Sequence, residues 1–395
     1  MAPLPKSLKQ ESTGSNMSYD LFVFAGEVSG DLHGEKLLKE LYAQRPDLKV
    51  VGVGGPKMRA VGMECILPME EFEVMGFVDI LSSLPKLRRH FKKIEKEILK
   101  NKPKGVVCID YPGFNLRLAN ALRKKKSSAK RIHYICPTVW AWGKRRIPKM
   151  EKSLDELLTI LPFEPDLFSK QKLNATYVGH PLISRIENHE YDPIWHKGYG
   201  LAGEEQILSI FPGSREKELV RNFPTQLKVA QEIQREYPDL TIAVSCSNEK
   251  FLPLLKKEKV LVIKPEHRYE LMRASHLAIA TSGTVTLELA LHHIPTVVTF
   301  AITPLDVFLA QNVFQINLPH YALPNIIHKG ELFPELFGPS LTEAKLRKKV
   351  TEFMVSEYKR SSCIETCKKL RATLGKKNAS QEAARIILTH ISKEN

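Results

Sequence analysis

Residues 21–41 read LFVFAGEVSGDLHGEKLLKEL, which is an apolar run of strand length, a glycine-containing turn and an amphipathic helix. The same succession begins again at VVGVGG (50–55), GVVCID (105–110) and RIHYIC (131–136). Apolar strands that alternate with helices predict a parallel sheet covered by helices on both faces. We therefore expect a doubly wound α/β domain in the first half of the chain.

The pattern restarts after an irregular segment at about residues 184–204. Apolar strands recur at ILSIF (207–211), TIAVSC (241–246), LAIATSG (277–283) and PTVVTF (295–300). The chain therefore predicts two Rossmann-like α/β domains that face a cleft, followed by C-terminal helices. The predicted divisions are a disordered leader at 1–18, an N-terminal domain at 19–185, a C-terminal domain at 186–340 and helices at 341–395.

The composition is that of an ordinary globular protein, with 43% apolar and 26% charged residues among 395. The six cysteines are scattered without metal-ligand spacing, which favours reduced thiols in a cytosolic protein over disulfides or a metal site. The sequence shows neither a secretory signal nor an apolar run long enough to span a bilayer. We expect a cytoplasmic protein without a metal or cofactor, whose contact with a membrane would be peripheral.

The charge is unusual, because 59 Lys and Arg against 44 Asp and Glu give a net +15. Residues 86–152 hold 21 of the basic residues and four of the acidic ones, a local charge of +17. Such an excess indicates an anionic partner, which is a nucleic acid, a membrane surface or a phosphorylated substrate. Composition alone does not choose among the three.

Apolar residues at near-helical spacing precede the basic run. Two interpretations stay open for this segment: a helix lying in the interface of an anionic membrane, or a core-facing helix with a basic outer face. The candidate membrane and acceptor patch comprises Met75, Phe77, Leu81, Arg88, Arg89, Lys92, Lys93, Lys144 and Arg145.

The segment Phe-Pro-Gly-Ser-Arg (211–215) directly follows a predicted strand. Gly213 allows a tight turn, Ser214 is suited to capping the next helix, and Arg215 offers a planar fork for a phosphate. An ordinary turn is the alternative interpretation. The functional one predicts a phosphate held at a strand-to-helix turn.

A second turn of this kind, Thr-Ser-Gly-Thr-Val-Thr-Leu-Glu (281–288), follows another strand. Ser282, Gly283 and Thr284 would present hydroxyls and N–H groups to a diphosphate, and Glu288 would accept ribose hydroxyls one helical turn later. The alternative is a plain helix N-cap with a surface glutamate. Two anion-binding turns in one domain favour a nucleotide diphosphate, and the missing GxxxxGK[ST] motif excludes a P-loop NTPase.

In the first domain, Asp110 ends a predicted strand at the place where a general base would lie over a cleft. The alternative role for this carboxylate is to cap the next helix, and the sequence leaves both open. Glu27 and Asp31 in the first turn are further acidic candidates. Since the chain has no Asp-x-Asp pair, we expect arginine and helix N-termini, rather than a metal, to stabilise the leaving group.

Ten ordered motifs resemble those of the lipid-A-disaccharide synthases, glycosyltransferases of the two-Rossmann-domain (GT-B) type. They are AGEVSGD (25–31), GVGGPKM (52–58), MEEFEVMGFVDIL (69–81), IDYPGFN (109–115), PTVWAW (137–142), LPFE (161–164), VGHP (178–181), PGSR (212–215), SGTVTLE (282–288) and LPN (323–325). The resemblance covers the chain from about residue 20 to beyond 330. It is weak in the C-terminal tail.

The resemblance implies condensation of a UDP-activated 2,3-diacylglucosamine with 2,3-diacylglucosamine 1-phosphate (lipid X), at the cytoplasmic face of the inner membrane. It also implies that Asp110 is the base, and that the diphosphate is neutralised by the turn at 282–284 and by Arg215. The remaining matches are Glu288 and Asn325 at the nucleotide site, Glu27, Ser29 and Asp31 in the acceptor-side loop, and Asn115 within IDYPGFN. Gly113 stands where the family often has Asp, so we expect no second carboxylate there.

Two other classes of protein remain as alternatives. One is another GT-B enzyme of UDP-sugar chemistry, such as a transferase of lipid-linked precursors or an epimerase, and the other is a basic nucleic-acid-binding protein. Neither needs the IDYPGFN and PTVWAW motifs together with two phosphate turns. We therefore predict a glycolipid partner at an anionic membrane rather than nucleic acid, and we allow for a homodimer.

Overall fold

The computed structural model describes residues 18–72, 77–141, 143–303, 306 and 318–392, with only the backbone over 77–83. All strands in these residues pair in parallel, in two separate sheets. The predicted class, two Rossmann-like α/β units followed by helices, is confirmed.

The first sheet has the strand order β3-β2-β1-β4-β5-β6-β7. Its strands are β1 (Leu21–Ala25), β2 (Val50–Gly54), β3 (Glu64–Pro68), β4 (Gly105–Ile109), β5 (Lys130–Tyr134), β6 (Glu156–Thr159) and β7 (Asn174–Tyr177). Every residue of β1 and β4 is buried, as expected for central strands that helices cover on both faces. The strand order reverses between β1 and β4.

Helices connect these strands. They are α1 (Val28–Gln44), α2 (Pro56–Ala60), α3 (Phe77–Asn101), α4 (Pro112–Lys124), α5 (Ile147–Ser153) and α6 (Pro181–Glu187). The predicted glycine-containing turn after β1 is shorter than expected, because α1 already begins at Val28. Ser29 and Asp31 therefore lie in its first turn.

The second sheet has the order β10-β9-β8-β11-β12-β13 and reverses between β8 and β11. Its strands are β8 (Gln206–Phe211), β9 (Leu240–Ser245), β10 (Leu261–Ile263), β11 (Ser275–Thr281), β12 (Thr296–Phe300) and β13 (Glu335–Phe337). The helices of this half are α7 (Glu216–Glu236), α8 (Leu252–Lys256), α9 (Arg268–Ala274), α10 (Thr284–Leu291) and α11 (Leu323–His328).

The C-terminal helices divide between the two sheets. They are α12 (Glu343–Val355), α13 (Glu357–Leu374) and α14 (Ala379–Ser392). Buried side chains of α12 and α13 join the core around the second sheet, whereas α14 packs on α1, with Ile387 buried among Leu37, Leu41 and the strands of the first sheet. The segment predicted at 341–395 thus contributes to both cores.

The chain passes between the domains at two neighbouring points. At the first, α6 spans the predicted boundary at 185, and its Leu182, Ile183 and Ile186 are buried in the core of the second domain. At the second, the return towards α14 runs beside Gly179, where an added Cβ would lie 2.5 Å from the carbonyl oxygen of Lys377. Gly179 also has φ +102°, so the VGHP motif needs glycine for two reasons.

Replacing Ile387 with Ala should lower the free energy of unfolding of the first domain by about 2–5 kcal/mol, because it leaves a cavity between α14 and the first sheet. Hydrogen–deuterium exchange should then accelerate in peptides from α1 and β1 and stay unchanged in β8 and β11. Thr389→Ala, on the exposed face of α14, is the control and should change neither set. Faster exchange confined to the second domain would contradict this packing.

Candidate functional site

The two reversal points of strand order place the predicted site residues in two groups. Ala25 at the end of β1 lies opposite Ile109 at the end of β4, so the turns that follow them, with Glu27 and Asp110, are neighbours. Phe211 of β8 lies opposite Ala280 of β11, which brings the two predicted phosphate turns together in the same way. Ligands of open α/β sheets bind at such points, outside the carboxyl ends of the strands.

Asp110 lies in an unusual backbone turn. Asp110 and Tyr111 have φ of +46° and +45°, in the left-handed region that residues other than glycine rarely adopt. The buried Asn115 holds this turn, because its Nδ2 donates to the carbonyl oxygens of Ile109 at 3.2 Å and Asp110 at 2.6 Å. Asn115, predicted to bind substrate, thus supports the backbone under Asp110.

Asp110 and Glu27 form a carboxylate pair. Burial, followed by the negative charge and a hydrogen bond of Glu27, raises the pKa of Asp110 from its usual 3.8 to about 6, against the lowering effect of the Tyr111 N–H. Ser29 Oγ donates to Glu27 Oε1 at 2.9 Å. The N-cap position of α4 belongs to Tyr111, so Asp110 faces Glu27 instead of capping that helix.

Asp31, the third acidic candidate, is buried and occupied elsewhere. Its Oδ1 accepts from the backbone N–H groups of Gly55 at 2.9 Å and Met58 at 3.0 Å, and its Oδ2 accepts from that of Lys57 at 3.0 Å. These bonds satisfy N–H groups at the N-terminus of α2. A direct role for Asp31 in catalysis stays a prediction.

A cavity of about 420 Å³ lies at the reversal point of the second sheet. It contains all the predicted residues of the two phosphate turns together with Glu288. The polar and glycine residues that line it are Arg185, Gly213, Ser214, Arg215, Glu218, Ser245, Ser247, Arg268, Thr281, Ser282, Gly283, Thr284 and Glu288. The helices α7 and α10 begin at its wall, and the N-terminal N–H groups of α10 make it suited to an anion.

Glu218 occupies the first phosphate turn. Its Oε2 accepts from the backbone N–H groups of Ser214 at 3.0 Å and Arg215 at 3.3 Å, and its Oε1 pairs with Arg215 Nη1 at 2.6 Å. The expectation that Ser214 caps the helix is wrong: α7 begins after Arg215, and the carboxylate of Glu218 satisfies the free N–H groups. Gly213, at φ +123°, makes the tight turn as predicted.

Glu288 is buried at the wall of the cavity. Its Oε1 accepts from Arg268 Nη2 at 2.6 Å and from the Tyr269 hydroxyl at 2.9 Å. These partners fix the orientation of the carboxylate, and its proposed contact with a ribose stays a prediction.

Asn325 does not line this cavity. Its Nδ2 donates to the Phe333 carbonyl oxygen and to Glu335 Oε1, and its Oδ1 accepts from the N–H groups of Leu332 and Phe333. The side chain therefore ties α11 to the loop that enters β13. Its place at the nucleotide site stays a prediction.

Sequence reasoning missed several residues that line the cavity. Ser245 ends β9, the neighbour of β8, and Ser247 follows two residues later, so the rule that placed the phosphate turns at strand ends could have found them. Arg185, Glu218 and Arg268 lie on helices, where no local pattern marks them.

The described members of the candidate basic patch are exposed: Arg88, Arg89, Lys92 and Lys93 on α3, and Lys144 and Arg145 on a 3₁₀ turn. Ile94 and Ile98 of α3 are buried against the first sheet, so this part of the helix faces the core and carries a basic outer face. Met75 lies outside the described residues, as do the side chains of Phe77 and Leu81. Contact of this patch with a membrane stays a prediction.

The described residues contain neither a membrane-spanning helix nor a cluster of metal-ligating side chains. No helix there is long and apolar enough to cross a bilayer. Nor do three or more His, Cys, Asp or Glu side chains gather there as they would around a metal ion.

Two parallel α/β sheets with sites at their reversal points define the GT-B class, and solved structures agree. A glycotransferase of kitacinnamycin matches 95% of this chain and 100% of its own with a TM-score of 0.63 at 13% identity. A putative UDP-N-acetylglucosamine 2-epimerase from Listeria monocytogenes matches 95% of this chain and 96% of its own with a TM-score of 0.60 at 12% identity. These likenesses establish the fold alone.

The sequence places the chain within that class. The family model described as lipid-A-disaccharide synthetase matches residues 21–388, so the chain belongs to this family, as its motifs predicted. The lipid-A-disaccharide synthase of Geobacter sulfurreducens is 30% identical over 96% of this chain and 99% of its own length. That of Chlamydia abortus is 41% identical over 82% of this chain, which spans about half of the longer chlamydial protein (52%).

Asp110→Asn should stabilise the protein at pH 8. Because folding raises the pKa of Asp110, the wild-type chain loses stability as the pH rises from about 4 through about 6, and the amide removes that loss. We expect a gain of about 1–3 kcal/mol at pH 8 that disappears below pH 4. Thermal unfolding of both proteins at the two pH values measures it.

Asp155→Asn is the matched control. Asp155 accepts from Arg131 Nε at 2.9 Å and Nη2 at 2.8 Å, so its loss should lower stability at pH 8. A loss of stability for Asp110→Asn at pH 8 would show that folding does not raise the pKa of Asp110.

Proposed function

We propose that this chain condenses UDP-2,3-diacylglucosamine with lipid X, giving the β(1→6)-linked disaccharide 1-phosphate and UDP. The observation that carries the proposal is the pairing of two sites in a member of this family. A carboxylate pair lies at the reversal point of one sheet, and a cationic cavity with two helix N-termini lies at that of the other. An inverting glycosyl transfer needs a base of the first kind and a leaving-group site of the second.

The cavity would bind the UDP portion of the donor. Its helix N-termini, Arg215 and the turn at 282–284 would stabilise the negative charge that develops on the departing diphosphate. Glu288, held by Arg268 and Tyr269, would accept hydroxyls of the ribose. The leaving group would depart without a metal ion in this scheme.

Asp110 would act as the general base. Its carboxylate accepts the proton of the 6-hydroxyl of lipid X, and that oxygen forms a bond to the anomeric carbon of the donor. The bond from this carbon to the diphosphate oxygen breaks, its electron pair leaves with UDP, and the configuration inverts. A pKa of about 6 suits this task near neutral pH, because the group is ionised yet still a useful base.

The remaining acidic and amide residues would support Asp110 and position the elements around it. Glu27, oriented by Ser29, would sustain the raised pKa of Asp110 and contact the acceptor. Asn115 would keep Asp110 in its turn, and Asp31 would hold the N-terminus of α2 in place. Asn115 and Asp31 thus have positioning roles, since both side chains are buried and hydrogen-bonded to backbone groups.

We also propose that the enzyme acts at the cytoplasmic face of the inner membrane. The exposed basic residues of α3 and of the turn at 144–146 carry the charge that anionic lipid head groups attract. Both substrates bear acyl chains, so such a surface would bring the acceptor site to them.

Wild-type protein supplied with both diacylated substrates should release UDP and the disaccharide in equal amounts. Asp110→Asn should lower turnover by about 10²–10⁴-fold and keep UDP affinity, because only the proton acceptor is lost. Asp47→Asn, an exposed carboxylate beyond the far end of α1, is the control and should remain active. Folded wild-type protein that makes no disaccharide, or that only epimerises UDP-N-acetylglucosamine, would overturn the proposal.

Reversing the charge of Lys92 and Lys93 to Glu should weaken co-sedimentation with vesicles that contain anionic phospholipid, because both side chains are exposed on α3. The same reversal at Lys256 and Lys257, exposed in the second domain, alters the net charge equally and should have little effect. Equal losses for the two double variants would indicate a response to total charge rather than a membrane-facing patch.

A further inference from the structure

Three arginines line the cavity at the second reversal point, and they differ in their partners. Arg215 is paired with Glu218 and Arg268 with Glu288, each at 2.6 Å. Arg185 has no carboxylate oxygen within 4.0 Å among the described residues. The cavity therefore holds three guanidinium groups against two carboxylates.

The fold holds Arg185 at this wall. It belongs to α6, and the neighbouring Leu182, Ile183 and Ile186 are buried in the second core, which directs the opposite face of the helix towards the cavity. Its guanidinium carbon lies 5.8 Å from the centre of the Tyr269 ring. A cation–π contact of this kind leaves the guanidinium N–H groups able to donate to an anion.

Two residues of the first domain, Lys36 and His33, interact with Arg185 through their charges, although neither lines the cavity. Burial and the charge of Arg185 lower the pKa of Lys36 on α1, and burial with the charges of Lys36 and Arg185 lowers the pKa of His33 to about 4. The charge of Glu35 raises the pKa of Lys36, but its carboxylate is paired with Lys39 at 2.8 Å. Lys36 on α1 and Arg185 on α6 thus repel each other, and the charge of Glu35 offsets this repulsion only in part.

We propose that Arg185 binds the diphosphate of the sugar nucleotide, with Lys36 supplying further positive potential from the first domain. This rests on the proposed function and extends its donor site. Lys36 together with the cavity side chains carries a net charge of +2, which balances the two negative charges of a sugar-nucleotide diphosphate. The anion would relieve the repulsion between α1 and α6, so the nucleotide would be held by both domains.

Titration calorimetry with UDP and with uridine tests the assignment. Arg185→Gln should weaken UDP binding about tenfold or more and leave uridine binding unchanged, because only UDP bears the diphosphate. Arg185→Lys should recover part of the loss, since it keeps the charge without the fork. Lys36→Gln should cause a smaller loss and make UDP binding less sensitive to salt.

Arg273→Gln is the matched control. Its guanidinium carbon also lies over a tyrosine ring, 5.1 Å from the centre of Tyr191, but it does not line the cavity. It should bind UDP as the wild-type chain does. Equal UDP affinity of Arg185→Gln and the wild type would overturn the inference and leave the proposed activity intact, whereas a wild-type chain that does not bind UDP would overturn the nucleotide site itself.

Discussion

The parallel pairing of β1 with β4, and of β8 with β11, is the constraint on which the molecule depends. At each pair the connecting helices leave the sheet towards opposite faces, so the two turns after the strands separate and leave a crevice. Residues far apart in the chain, such as Glu27 and Asp110 or Ser214 and Ser282, become neighbours for this reason alone. The chemistry of each half follows from what the chain places at its reversal point.

The two crevices carry side chains of opposite charge. The first brings two carboxylates together and bends Asp110 and Tyr111 into a left-handed turn, which costs about 1–3 kcal/mol for each such residue. Asn115 and the buried strands on both sides keep this arrangement in place. The second gathers arginines and helix N-termini and balances them in part with Glu218 and Glu288. The same fold thus provides a base in one domain, where acidic side chains line the crevice, and an anion site in the other, where basic side chains line it.

The two sheets and several residues of both crevices could be predicted from the sequence, because buried strands are visible as apolar runs and their carboxyl ends mark the crevices. The apolar runs located the sheets, and the turns after them located Asp110, Glu27, Ser282 and Arg215. The partners of a side chain were not predictable, since they are set by packing. Asp31 caps α2 and Asn325 ties α11 to a loop, although both stand in site motifs. Arg185 could not be predicted from the strand pattern, because it reaches the cavity from a helix and not from the end of a strand.

The packing of α14 on α1 bears on how the protein is made. Leu37 and Leu41 belong to α1, and Ile387, which covers them, is added about 350 residues later. At ribosomal rates of about 5–20 residues per second, the delay is on the order of 20–70 s. During that time the N-terminal domain presents an uncovered apolar strip. Its core is completed only once α14 has been synthesised, so the nascent chain exposes apolar surface of the kind that chaperones bind.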